Sequence, residues 1–413
     1  MIKITTVYGR KLFLCCALSG FASALLAFAI CFAVNYTDFG VKAKSLITRH
    51  IYAAIKPSSS TANTKLIENY DAAKSREMDS QARNQSIEFY GFKKARGNIL
   101  DLIGVGNKLR YLYSDIDFIF VPGSSYCPAL DAPFVQRIMS HHRVICNRIV
   151  YEDIEQQLFS VLVKSSIAKD PRKLVIYNHG HNGLPAENEQ FANQFIEGAL
   201  AEGFDVLLVS MPLTGLDIAK HDFKFKSWDG ESTASSDQIA TNFPYSHGIF
   251  ELMDTGKSHF MRYFIDTGVV AAFNLRSEYS SINYVGLSGG ATTGLYTCVV
   301  MQDILDRCFL ISGVMPINLR ANADSFGDAE QVASSFYSRN NIFDLVRALY
   351  ESGVDIRLYY SSNDSCCFKR ASAEAFNKQL IEKSIHVPFY IRESDSHGYD
   401  PEVILQALTS KGS

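Results

Sequence analysis

The stretch SINYVGLSGGATTGL, residues 281–295, decides how the rest of the chain is read. It begins as a short β-rich run and ends as a helix start, and between them stands Gly286-Leu287-Ser288-Gly289-Gly290, a Gly-x-Ser-x-Gly. A serine held on a sharp strand-to-helix turn needs neighbours without side chains, so that the backbone can fold tightly and the hydroxyl can stand clear. Gly286 and Gly290 are therefore read as the glycines of the turn, and Ser288 as a nucleophile. A plain glycine-rich turn would carry the same five letters, so the flanking chain has to supply the partners.

Upstream, residues 173–177 (KLVIY) form a continuous apolar run of the kind found in buried parallel strands, ending in Asn178-His179-Gly180-His181-Asn182-Gly183. Residues 187–202 have helical spacing, with Gly203 as the stop, and 204–210 are a second buried run. Residues 143–150 and 158–163 are β-rich on either side of a polar turn and predict an antiparallel pair. Downstream, strands at 282–285, 307–312, 356–361 and 387–391 alternate with helices at 291–302, 329–350 and 371–383 and from Pro401. Such alternation predicts an α/β class with a mostly parallel sheet covered by helices on both faces. Residues 212–257 interrupt the rhythm before a helix at 260–275, and a connection of that length shapes a site or forms a lid.

The 413 residues, 47% hydrophobic and 20% charged, suit one large domain with an appendage. A formal charge of -3 offers no basic field for a nucleic-acid backbone, so nucleic acid is not an expected partner. Residues 12–34 carry no charge and are long enough to cross a bilayer as a helix. Lys3, Arg10 and Lys11 before them and Ala27-Phe28-Ala29 within them also fit a cleaved signal peptide. The run continues through Ile30 to Val34, beyond a usual signal core, and so favours an uncleaved anchor. Basic residues balance on its two sides, so the positive-inside rule is silent. The short N-terminal tail and large C-terminal domain point to a single-pass anchor with the domain outside the cytoplasm. The expected organisation is an anchor or signal at 1–35, a linker at 36–86, an N-terminal extension at 87–141 with a strand near 118–121, and the main domain at 142–413. Of nine cysteines, three lie in the apolar segment. The remaining six permit disulfides in an exported domain, with the pairing open, and no Cys-x-x-Cys suggests structural zinc.

In a sheet of this kind, functional groups gather at the carboxyl ends of the strands. Three such loops carry Ser288, Asn363-Asp364 and Asp395-Ser396-His397-Gly398. A serine hydroxyl needs a base to take its proton, and a histidine base works best when a carboxylate fixes its tautomer. Ser288, Asp364 and His397 supply these three groups, with Asp324 or Asp328 as alternative acids. His179 and His181 make a His-x-His without a visible carboxylate set, so no metal and no cofactor is expected. Cys366 and Cys367 beside Asp364 fit packing, pairing or a redox role. His247 and Trp228 either line a pocket or pack the lid.

Serine, then acid, then histidine, each after a successive strand, resembles the α/β-hydrolase superfamily over residues 142–413. The resemblance implies an α/β-hydrolase-like fold with Ser288 as nucleophile, His397 as base and Asp364 as the acid that orients it. His179-Gly180 resembles the family's oxyanion loop, so the N–H of His181, or of a neighbour, would act with that of Gly289. Two such donors contribute on the order of a few kcal/mol each. The Gly-x-Ser-x-Gly-Gly form and the antiparallel start are similar to the esterase and prolyl-peptidase-like branches. The implied activity is hydrolysis of a carboxylic ester, as a small-molecule or acyl-ester substrate, through an acyl-enzyme. A serine peptidase or acyltransferase would use the same groups. The alternative from another class is a catalytically silent hydrolase-like domain acting as a membrane-tethered binding module.

Overall fold

A strand sends successive side chains to opposite faces, so an unbroken apolar run is stable only where both faces are covered. The computed structural model describes residues 92–102, 119–121, 133–151, 156–168, 170–180, 190–213, 223–227, 230–234, 247, 249–250, 259–316, 319–320, 328–332, 336, 340–364 and 368–410. The 12–34 segment, the 36–86 linker, His181, Trp228, Asp324, Cys366 and Cys367 lie outside the described residues. Among the described residues no helix is long and apolar enough to cross a membrane.

The strands are β1 (Ile119–Val121), β2 (Arg143–Tyr151), β3 (Gln156–Lys164), β4 (Lys173–Asn178), β5 (Phe204–Val209), β6 (Phe223–Ser227), β7 (Gly230–Ala234), β8 (Ser281–Leu287), β9 (Arg307–Ile311), β10 (Asp355–Ser361) and β11 (Phe389–Arg392). The helices are α1 (Ala95–Leu102), α2 (Pro133–Met139), α3 (Gln190–Ala201), α4 (Met261–Leu275), α5 (Gly289–Val300), α6 (Ala329–Val332), α7 (Ile342–Glu351), α8 (Arg370–Glu382) and α9 (Pro401–Thr409). Among the described residues nine strands form one sheet in the order β1-β2-β3-β5-β4-β8-β9-β10-β11. From β5 to β11 all neighbours are parallel. The β1, β2 and β3 edge is antiparallel, including β3 against β5.

The period of two then explains the covering layers. In β4, Leu174 and Ile176 join one core with Tyr284, Leu310 and Leu358, packed under α1, α4, α5, α7 and α8. Val175 and Tyr177 join the other with Val285, Phe309 and Tyr359, under α2, α3 and α9. The expectation of a mostly parallel sheet with helices on both faces holds. The last strand begins at Phe389 rather than at 387, since Pro388 has no N–H to give a ladder. Its carbonyl still accepts from Leu358 at 3.0 Å. Within the 212–257 insertion β6 and β7 form a separate antiparallel pair, which the sequence reading did not contain. Cys298 of α5 and Cys308 of β9 form a disulfide, one of the pairings left open.

The chain leaves β4 for β5 on one side, and β8 lies on the other, so the strand order reverses here, the place where ligands bind at the carboxyl ends of open α/β sheets. The amino end of the sheet holds a buried carboxylate. Asp205 of β5, fully buried, accepts from Arg172 Nε and Nη2 at 2.8 and 2.6 Å, from the Ser165 N–H at 2.8 Å and from Tyr279 Oη at 2.8 Å.

Candidate active site

Ser288 follows β8 and precedes α5, with φ 57° and ψ -125°. A non-glycine residue in that region costs about 1–3 kcal/mol and persists only where its surroundings hold it. Ser288 N–H donates to Ile311 O at 2.9 Å, and Ser288 O accepts from the N–H groups of Ala291 and Thr292 at 2.9 and 3.1 Å. The flanking glycines are required by contact. A Cβ on Gly286 would lie 2.3 Å from Gly290 O, and one on Gly290 would lie 2.3 Å from Asn178 O of β4. Tyr284, under the turn, donates its hydroxyl to Gly290 O at 3.0 Å. The Gly-x-Ser-x-Gly spacing is thus a packing requirement between β4, β8 and α5, and it leaves Ser288 half-buried at the sheet's carboxyl edge.

Two strands further along, Asp364 ends the turn after β10 and is fully buried. His397, after β11, places Nδ1 3.0 and 2.9 Å from the two Asp364 carboxylate oxygens. The two loops are laced together. Asn363 N–H donates to Ser394 O at 3.0 Å, Ser394 N–H to Ser362 Oγ at 3.2 Å, and Ser361 Oγ to Gly398 O at 2.7 Å. Phe368, buried, stacks on the His397 ring with centroids 6.2 Å apart. With Nδ1 engaged by the carboxylate, Nε2 of His397 is the nitrogen left for proton transfer.

The loop after β4 presses against the same turn. Gly180 has φ 88°, and a Cβ there would lie 2.4 Å from Leu287 O and 3.1 Å from Gly289 N. Any side chain would push Gly180 off the turn, so only glycine lets this loop lie against the Gly289 and Gly290 N–H groups. His179 is buried, and its Nδ1 pairs with Tyr177 Oη at 2.9 Å. His181 lies outside the described residues.

A second histidine site was not assembled by the sequence reading. His247, fully buried, has Nδ1 2.8 Å from both Asp328 Oδ2 and Glu330 Oε2. Asp328, weighed above as an alternative acid, therefore faces His247, whereas Asp364 faces His397. Asp328 Oδ1 accepts the N–H groups of His247 and Ala329 at 2.6 and 2.9 Å. Burial opposes protonation of His247, but Asp328 and Glu330 push it up to about 10. Its ring meets Phe264 edge-on at 4.9 Å. The cluster adjoins the serine turn, since a Cβ on Gly289 would lie 2.7 Å from Glu330 Oε1 and 3.0 Å from Met211 Cε. In the sequence Glu330 is only an acidic residue in the first turn of a helix.

No protein-family model and no curated protein matches the chain. Solved structures that resemble it include Est1E from Butyrivibrio proteoclasticus with ferulic acid bound, at 14% identity over 63% of this chain and 95% of that one, with TM-score 0.41. Acetyl xylan esterase 1 from a Thermoanaerobacterium species aligns at 12% identity over 80% and 98%, TM-score 0.45. Porphyromonas gingivalis dipeptidyl peptidase 4 aligns at 13% identity over 66% of this chain and 36% of that one, TM-score 0.41. With its central parallel strands, its antiparallel start and a strained serine turn between β8 and α5, the chain has an α/β-hydrolase-like fold.

Proposed function

We propose that this chain is a serine hydrolase that cleaves a carboxylic ester through an acyl-enzyme. Ser288 attacks the carbonyl carbon while His397 Nε2 takes its proton and then passes it to the leaving alcohol. Asp364 holds the ring and stabilises the imidazolium, and water attacks the acyl group to release the acid and free Ser288. The N–H groups of Gly289 and His181 receive the oxyanion. The observation that carries this reading is the pairing of buried Asp364 with His397 Nδ1 at the carboxyl end of the sheet that also presents Ser288 on a strained turn.

The chain is further proposed to be held at a membrane through residues 12–34, with the catalytic domain outside the cytoplasm. The Cys298–Cys308 disulfide supports an oxidising compartment.

A fluorophosphonate probe on the full-length protein is expected to label wild type and to leave Ser288→Ala unlabelled. Equal labelling of the two would sink the assignment. An aryl acetate should be turned over faster than a peptide anilide, and the reverse order would replace the ester reading by a peptidase.

A further inference from the structure

The proposed reaction makes no use of His247, Asp328 and Glu330, which converge beside the serine turn. Their metal-capable atoms lie within 4.8 Å of one another. The Nδ1 of His247 carries one hydrogen at most, yet two carboxylate oxygens lie 2.8 Å from it. All three side chains are no more than 9% exposed, so water does little to screen them. Independently, Glu330 Oε1 is fully buried with no hydrogen-bond donor among the described residues, and it faces the Gly289 α-carbon.

One species answers both observations. A divalent cation bound by a neutral imidazole and two carboxylates needs no hydrogen on Nδ1, and it gives the second Glu330 oxygen an electrophile. We propose that His247, Asp328 and Glu330 form a binding site for a divalent transition-metal ion of the zinc class, joining the 212–257 insertion to α6 beside Gly289. The imidazole selects the class, since calcium and magnesium prefer all-oxygen sets whereas nitrogen with carboxylate oxygen suits zinc and its neighbours. The surrounding groups already have the form of a metal site's outer layer. The His247 and Ala329 N–H groups fix Asp328 Oδ1, and Phe264 and Phe250 hold the imidazole ring. No spacing in the sequence marks this set, because His247 and Glu330 are 83 residues apart.

The test uses full-length protein stripped with a chelator, dialysed, and titrated with zinc chloride by calorimetry, with bound metal counted by mass spectrometry. Wild type is expected to bind one equivalent and to melt at a higher temperature when loaded. Glu330→Gln, nearly the same shape, is expected to bind at least about tenfold more weakly, and His247→Gln likewise. Ser288→Ala should bind zinc as wild type does while losing the fluorophosphonate label, which separates failure of this site from failure of the hydrolase reading. No zinc uptake by wild type, or equal affinity in Glu330→Gln, overturns the proposal. If His247→Gln does not fold, the wild-type and Glu330→Gln titrations alone decide it.

Discussion

Two histidine–carboxylate groups stand among the described residues, and they differ in the number of carboxylates on Nδ1 and in burial rather than in residue type. At His397 one carboxylate offers both oxygens to Nδ1, and the side chain is 26% exposed. At His247 two carboxylates converge on one nitrogen, and the side chain is 1% exposed. A histidine that must gain and lose a proton in each turnover needs a single orienting partner and access. One enclosed by two anions holds its charge, or an ion in its place, and cannot cycle. The difference teaches that enclosure and charge count, more than the presence of a His and an acid, separate a base from a ligand.

The largest expected effect tests the first half of that contrast. Asp364→Asn keeps the shape of the buried side chain but favours the wrong His397 tautomer, and a change of this type lowers kcat by about ten-thousandfold. Ester turnover should fall accordingly, with little change in the unfolding midpoint. An Asp364→Asn variant that keeps more than about a tenth of wild-type turnover would break the contrast, since Asp364 would then not be orienting a base.

The second effect is on stability. His247→Ala takes the imidazole away from both Asp328 and Glu330, and removing one partner of a buried ion pair costs about 3–5 kcal/mol. Urea unfolding of metal-free protein should show a loss of that size, while fluorophosphonate labelling of the folded fraction falls far less than ester turnover does in Asp364→Asn. Loss of labelling without loss of stability would instead make His247 part of the chemistry.

These two sites were not equally legible in the sequence. Ser288, Asp364 and His397 could be read because each follows an apolar strand, and in an α/β sheet the ends of such strands converge in space whatever their separation in sequence. The strands themselves were legible where both faces are buried, as in 173–177 and 204–210, because nothing but a covered strand explains so short and continuous an apolar run. The β6–β7 pair was not read. Phe223-Lys-Phe225-Lys alternates as a half-buried strand should, but Gly230 to Ala234 is small and polar and gave no matching signal. The His247 cluster was illegible for a related reason, since it joins an irregular insertion to a four-residue helix and no periodicity reports where either lands. Asp205 shows the same limit, as its donors come from the loop between β3 and β4 and from Tyr279 before β8, more than a hundred residues further along the chain.

Asp205 also supplies the smallest and most discriminating measurement. Like Glu330 it is a fully buried carboxylate, but four hydrogen bonds reach its two oxygens, two of them from the Arg172 guanidinium. Tyr279→Phe removes one neutral donor from Oδ2 and leaves Arg172 Nε on that same oxygen, so no charge is stranded. The expected cost is that of a single hydrogen bond to a charged group, about 1–2 kcal/mol in urea unfolding. That should be well below the cost of His247→Ala, although both substitutions take one partner from a buried carboxylate. If the two costs were equal, the loss of a charged partner would cost no more than the loss of a neutral one at these sites. A small cost for Tyr279→Phe beside a large one for His247→Ala would tie the penalty to the charge of the partner removed, the property a bound divalent cation shares with an imidazolium.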